Sequence, residues 1–327
     1  MIRVGILGAG TIAAVMAKTI HKMNENGDNS VCLYAIASRK LESAERFAKE
    51  HQVPKAYGSY QQMLEDEDVD LVYVATPHSH HYQYTKLSVE HGKHVLCEKA
   101  FTVNARQAQE VLCLAEQKGV LVTEGIWTRY QPMRSMIKEL LDSGVIGQPK
   151  MLTANLCYNI ADVERIARPE LAGGALLDVG VYALNFAEMM FGRADSVSGS
   201  CLKNEYGVDI ADSITLTWND GKMAALTAAA TVVSDRMGVI SGTDGYIIVE
   251  NINNPQQIRV YDRNHQLKQQ IERPAQLTGF EYEVAQAVSC IEQGLLECPS
   301  MPHAETIHMM ELMDHLRAQM AVRYPFE

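Results

Sequence analysis

Residues 1–16 read MIRVGILGAGTIAAVM, and this stretch decides the fold. Ile2, Val4 and Ile6 place branched apolar side chains at alternate positions, as a strand does. Gly8-Ala9-Gly10-Thr11-Ile12-Ala13 follows at once, ahead of an apolar helical repeat. Strand, G-x-G-x-x-A, then helix is the dinucleotide fingerprint in its required setting. Gly8 permits the tight turn, Gly10 lets the backbone approach a pyrophosphate, and Ala13 keeps helix and strand close. Amides at the helix start, Thr11 and Ile12 among them, then hold the phosphates with the helix dipole behind them.

Moving outward, Val31–Ala37 is a continuous apolar run suited to a buried parallel strand. It ends Ala37-Ser38-Arg39-Lys40. NAD enzymes commonly place an acid there to hold the ribose hydroxyls. Here the Ser38 hydroxyl and the Arg39 guanidinium suit a 2′-phosphate instead, which favours NADP while leaving NAD possible. The next main strand, Val69–Ala75, runs into Thr76-Pro77-His78-Ser79-His80-His81, a loop where an α/β sheet places ligand contacts. Helices are expected at Thr11–Met23, Leu41–Glu50, from Ser59, at Tyr82–Glu90, and from Asn104 to Gln117. Strands at Val95–Cys97 and Val120–Thr123 complete a doubly wound parallel sheet over residues 1–122.

Residues 123–327 read differently. Short alternating strands at Met151–Tyr158, Asp195–Cys201, Ala211–Trp218, Met223–Val232, Met237–Ser241, Tyr246–Val249 and Gln256–Tyr261 predict a large, mostly antiparallel sheet. Turns such as Asn219-Asp220-Gly221 join them. Helices are expected at Met133–Leu141, from Gly173 through Met190, at Phe280–Gly294 and at Ala304–Ala321.

The 327 residues carry a net charge of −11, which disfavours a nucleic-acid partner. No apolar run is expected to cross a bilayer. The seven cysteines are scattered and never form C-x-x-C, so neither a disulfide scaffold nor a zinc site follows. The N-terminal stretch reads as strand and phosphate turn rather than signal peptide, so a cytoplasmic location is expected.

Glu98-Lys99 stands where a strand meets a loop near the expected nicotinamide. A lysine there can hydrogen-bond a substrate oxygen and share a proton, with Glu98 orienting it. Asp178 and Tyr182 lie four apart on an expected helix, behind Gly173-Gly174, and so share a face. Tyr182 offers a phenolic donor and Asp178 a hydroxyl acceptor. Trp127 is placed to wall a cleft, and Arg129 to hold a phosphate, a carboxylate or a structural acid. His78, His80 and His81 lack a zinc-binding pattern and are read as ordering the loop beside the nicotinamide ribose, with no metal.

Taken together, these motifs resemble the glucose-fructose oxidoreductase / inositol dehydrogenase / MocA family. The resemblance rests on Gly8–Ala13, Ala75-Thr76-Pro77 with His81, Gly92–Lys99 and Gly173–Tyr182. It implies an N-terminal Rossmann domain and a C-terminal α/β domain whose open sheet face makes a homodimer interface. The Glu124–Tyr130 segment, and Tyr182 after Gly180-Val181, are most similar to dimeric dihydrodiol dehydrogenases and NADP-dependent xylose dehydrogenases. By that resemblance Lys99 and Tyr182 are the catalytic pair, Asp178 supports them, and Trp127 lines the substrate pocket. Thr76, Pro77, His81, Glu98 and Lys99 fall in its cofactor-side motifs, and Ser38 and Arg39 match the NADP-preferring subgroup. Ala100 departs from the usual proline after Glu98-Lys99. The implied activity is hydride transfer between nicotinamide and a secondary alcohol or carbonyl of a sugar, polyol or cyclic diol. Imine or double-bond reduction, and non-catalytic NADP sensing, stay open as alternatives.

Overall fold

The computed structural model describes all of residues 1–327. Along the first half of the chain run β1 (Ile2–Leu7), α1 (Thr11–Glu25), β2 (Val31–Ala37), α2 (Leu41–Glu50) and β3 (Lys55–Tyr57). They are followed by α3 (Tyr60–Leu64), β4 (Leu71–Val74), α4 (His78–Glu90), β5 (His94–Glu98), α5 (Ala105–Lys118) and β6 (Val122–Gly125). The six strands form one parallel sheet in the order β3-β2-β1-β4-β5-β6. The strand order reverses between β1 and β4, which makes their carboxyl ends the crevice of the sheet. Backbone bonds from Gly8 N to Ala37 O (3.0 Å) and from Ala75 N to Leu7 O (2.9 Å) tie β2, β1 and β4 together there.

After β6 come α6 (Pro132–Asp142), β7 (Pro149–Cys157), α7 (Glu164–Ala167), α8 (Val181–Phe191), β8 (Ser196–Lys203), β9 (Asp209–Thr217) and β10 (Met223–Ala229). Then follow β11 (Gly238–Gly242), β12 (Gly245–Glu250), β13 (Gln257–Asp262), β14 (Leu267–Glu272), α9 (Glu281–Glu292) and α10 (His303–Met320). Strands β7–β14 form an eight-stranded sheet in the order β14-β13-β12-β11-β7-β10-β9-β8. Only the β7–β10 pair is parallel. Helix α8 lies against one face so closely that a Cβ on Gly238 would come 2.5 Å from Phe186 Cε1. The N-terminal parallel sheet and the C-terminal, mostly antiparallel sheet are therefore both present.

Several details differ from the sequence expectation. The compact units are discontinuous: residues 1–130 with 276–310, and residues 131–275 with 311–327. β6 pairs with β5 across the expected boundary at 122/123. The return of α9 is fixed by Thr278 Oγ1 against Thr19 Oγ1 (2.8 Å) and by Lys22 Nζ donating to Leu277 O (3.1 Å). α4 starts at His78 rather than Tyr82, because Pro77 has the fixed φ of a residue that opens a helix. All three histidines thus lie in its first turn or just beyond it. The helix expected from Gly173 is a π-helical turn, Leu176–Gly180, running into α8. β14 is an edge strand with the pattern LKQQIE, too polar for its periodicity to mark it. The stretch Pro169–Phe191 matches a membrane span by length and composition only. It is 89% buried within the fold and is core.

Candidate active site

The phosphate end is built from backbone. Gly8 has φ +103°, and a Cβ there would lie 2.7 Å from Ala75 O, so the turn requires glycine. A Cβ on Gly10 would meet nothing within 4 Å, which leaves open space over the start of α1. Neither α1 nor α4 carries a side-chain cap or an acidic residue in its first turn. The amides of Thr11 and Ile12 at the start of α1 are therefore open to an anionic pyrophosphate. The Ser38 amide donates to Tyr57 O (3.1 Å) and fixes the end of β2. Arg39 beyond it is exposed and makes no hydrogen bond or ion pair within the chain. The residues present fit a dinucleotide.

The other end of the same sheet is crowded with carboxyl groups. Glu98 closes β5: its Oε1 accepts from the Tyr73 hydroxyl, and its Oε2 from the Lys99 amide (3.3 Å). Lys99 follows directly, and the Lys99–Ala100 peptide is cis. On β6, Glu124 is buried; one of its oxygens accepts from Phe101 N (3.0 Å) and the other has no donor. Burial pushes its pKa up to about 7. Glu283 of α9 is fully buried with no donor on either oxygen. It sits over Gly125, where a Cβ would be 3.5 Å from its Oε2, and Gly125 is the strand neighbour of Glu98. Burial first, and then the charge of Glu98, hold the Glu283 carboxyl well above the carboxylate range, so it is neutral.

His81 is 1% exposed. Its Nδ1 lies 2.8 Å from Ala100 O and its Nε2 2.7 Å from Thr76 O. Burial pushes its pKa down to about 4, so the ring is neutral and has one N–H for the two carbonyls. It braces the Thr76-Pro77 loop against the residue after Lys99. Arg129 is 3% exposed, and its Nη2 donates to Glu305 (3.2 Å). Of the three readings open for it, this ion pair supports the structural one. Trp127 stacks on Phe280 with ring centroids 4.3 Å apart, and a Cβ on Gly279 would strike its ring at 2.7 Å.

In the second unit, Asp178 is buried on the π-helical turn and accepts from Arg165 Nη1 (2.7 Å). Tyr182 follows in the first turn of α8 and is half-buried. The turn itself is anchored by Asp209 Oδ2, which accepts from Leu176 N (2.6 Å). Asp212 lies beside Asp209, with no donor on either oxygen, and burial pushes its pKa up to about 9. The sequence reading missed Arg165, Glu124, Glu283, Asp209 and Asp212. A buried acid has no mark in a single sequence, although Asp212 falls on the buried face of β9 that Ile214 and Leu216 share.

Comparison with known proteins bears on the family and the fold. Residues 2–126 match the profile described as "Oxidoreductase family, NAD-binding Rossmann fold", and residues 135–248 match the "GFO/IDH/MocA C-terminal domain". The trans-1,2-dihydrobenzene-1,2-diol dehydrogenase of Xenopus tropicalis is 35% identical over 300 residues, covering 89% of this chain and 90% of its own. The chain belongs to the GFO/IDH/MocA oxidoreductase family. The zebrafish (Danio rerio) dihydrodiol dehydrogenase is 32% identical over 99% of this chain and 98% of its own. Among solved structures, KijD10, a 3-ketoreductase from Actinomadura kijaniata in complex with NADP and TDP-benzene, superposes with a TM-score of 0.86. It is 26% identical, and 99% of each chain is covered. This family member is thus an NAD(P)-dependent oxidoreductase with a Rossmann-type first unit.

Proposed function

We propose that the enzyme transfers hydride reversibly between NADP and a secondary alcohol or carbonyl of a sugar, polyol or cyclic diol. The observation that carries this reading is Lys99 at the carboxyl end of β5, directly after a Glu98 that is held by Tyr73 and by the Lys99 amide. A bound nicotinamide supplies the hydride chemistry. Lys99 and Tyr182 hold and move the proton at the substrate oxygen, and Lys99 stabilises the charge that develops there. Asp178, charge-balanced by Arg165, binds a second substrate hydroxyl. Trp127 gives the pocket an apolar wall. Ser38 and Arg39 favour NADP, while NAD remains usable. The dihydrodiol dehydrogenase relatives and the 3-ketoreductase support a CH–OH substrate, and a xylose-type sugar stays within that class.

The first unit then serves as the dinucleotide domain, and the second as the substrate and oligomerisation domain. We propose a homodimer through the face of the eight-stranded sheet opposite α8. Met151 and Met223 are strand neighbours there, and both are exposed. All seven cysteines are free thiols, which suits a cytoplasmic setting. The test is a panel of sugars, polyols and cyclic diols followed by nicotinamide absorbance, with product analysis. Carbonyl product from an alcohol supports the reading. Turnover restricted to imines or activated double bonds, or tight NADPH binding with no turnover on any class, overturns it.

A further inference from the structure

Near the carboxyl end of β2, the first turns of α3 and α4 hold Tyr60 and His80, which no step above uses. His80 is half-buried on α4. Its Nδ1 pairs with Ser79 Oγ (2.9 Å), and its Nε2 has no partner. The imidazole lies nearly parallel to the Tyr84 ring, with centroids 5.9 Å apart and planes inclined by 11°. Tyr60 of α3 meets Tyr84 edge-on at 4.5 Å. Arg39 bears electrostatically on both His80 and Tyr60, and no carboxylate acts on either. In a chain of net charge −11, a guanidinium without an ion pair beside an imidazole without an acid is an arrangement completed by an anion.

We propose that His80 belongs to the 2′-phosphate subsite of NADP, its Nε2–H donating to the phosphate beside Arg39, so that the choice between NADP and NAD depends on pH. This rests on the NADP reading and moves His80 from the nicotinamide ribose, where the sequence placed it, to the adenosine end. The groups that touch or act on His80 are Arg39, Ser79, Tyr84 and the neutral His81, and Tyr60 meets Tyr84. Burial pushes the Tyr60 phenol up, away from neutrality, so His80 is the group that titrates. In the free protein, burial first and then Arg39 hold its pKa below the ordinary value. A phosphate dianion favours the imidazolium, so NADP binding takes up a proton and strengthens as pH falls. The phosphate's own second ionisation, at about pH 6, acts in the opposite direction. It is common to wild type and variants and cancels in their difference.

The test is calorimetric titration of NADP+ and NAD+ from about pH 6 to about pH 8.5, on wild type, His80→Gln and His80→Phe. The phenylalanine keeps the stack on Tyr84 without the proton. Both variants are expected to lose roughly tenfold in NADP+ affinity at low pH, the factor a charge-assisted hydrogen bond carries. NAD+ affinity should stay within about twofold, since NAD+ lacks the group that His80 would bind. The extra pH slope of the wild type should also vanish. Unchanged NADP+ affinity and slope in both variants overturns the inference while leaving NADP preference intact. Equal loss of both cofactors also overturns it, because His80 would then act on their shared part. A wild type that binds NAD+ as tightly as NADP+ at every pH overturns the NADP reading and this inference together.

Discussion

The two ends of the parallel sheet solve opposite electrostatic problems. Around β2, Arg39 and His80 present positive or ionisable nitrogen with no acid among the groups acting on His80. Around β5 and β6, Glu98, Glu124 and Glu283 are buried within one neighbourhood. The first end resembles half of an ion pair whose other half is a ligand. The second holds protons, because three ionised carboxylates could not share so little solvent. Strand topology brings both to the carboxyl edge of the sheet, and under the function proposed above side-chain chemistry divides that edge into a part that binds and a part that reacts.

The sharpest way to break this division is Lys99→Ala. If the β5 end is for chemistry, kcat should fall by about 10²–10⁴, the range for a lost general acid–base group. The dissociation constant for NADP+ should move by no more than about threefold, as expected of a group that acts on the substrate oxygen. Steady-state kinetics with cofactor titration checks both. A variant that turns over normally, or one that loses the cofactor, would place Lys99 on the binding side.

Arg39→Ala tests the opposite end. NADP+ affinity should drop roughly tenfold to a hundredfold, with NAD+ nearly unaffected, as befits removal of a charge-assisted phosphate contact. The effect should shrink as salt rises, because Arg39 is exposed. A loss that falls equally on both cofactors would mean that Arg39 supports the fold of the β2 end.

Glu283→Leu asks what the buried acid costs. Replacing an unpartnered buried carboxyl by an apolar side chain of similar size should stabilise the protein by about 1–3 kcal/mol at pH 8. Urea unfolding measures this. A stable Glu283→Leu protein with impaired kcat would make the acid part of the machinery under Lys99. A destabilised one would show that Glu283 has a donor that the free structure lacks.

The sequence disclosed these features unequally. The Gly8–Ala13 turn was legible because a pyrophosphate turn demands glycine at fixed spacing next to a strand, and the structure gives Gly8 the positive φ that turn needs. Glu98-Lys99 was legible as a strand end followed by a cation. Glu283 was not, because its role arises when α9 returns from the far end of the chain to lie over Gly125. Arg129 was legible as a cation, but its partner Glu305 lies 176 residues away. The histidines were misplaced for a local reason: Pro77 opens the helix four residues earlier than the apolar pattern suggests. The π-turn that holds Asp178 was invisible, since its anchor, Asp209, comes from strand β9, 33 residues on.

Glu124 offers the finest test of the comparison, because it lies between the two extremes: one oxygen bonded, one bare, and burial pushing its pKa from 4.5 up to about 7. Below about pH 4.5 both folded and unfolded chains carry this proton, and Glu124 contributes no slope. As pH rises from there to about 7, the unfolded chain gives up the proton while the folded chain keeps it. Stability therefore falls with pH, by at most about 1.4 kcal/mol per pH unit from this group. Above about pH 7 both states are ionised and the slope ends. Glu124→Gln keeps the acceptor for Phe101 N and cannot ionise. Its urea midpoints at about pH 5, 6, 7 and 8 should fall less steeply than those of the wild type inside that window, and run parallel to them above it. Parallel curves throughout would mean that Glu124 is already ionised in the folded protein. The proton at the β5–β6 end would then rest on the Glu98–Glu283 pair alone.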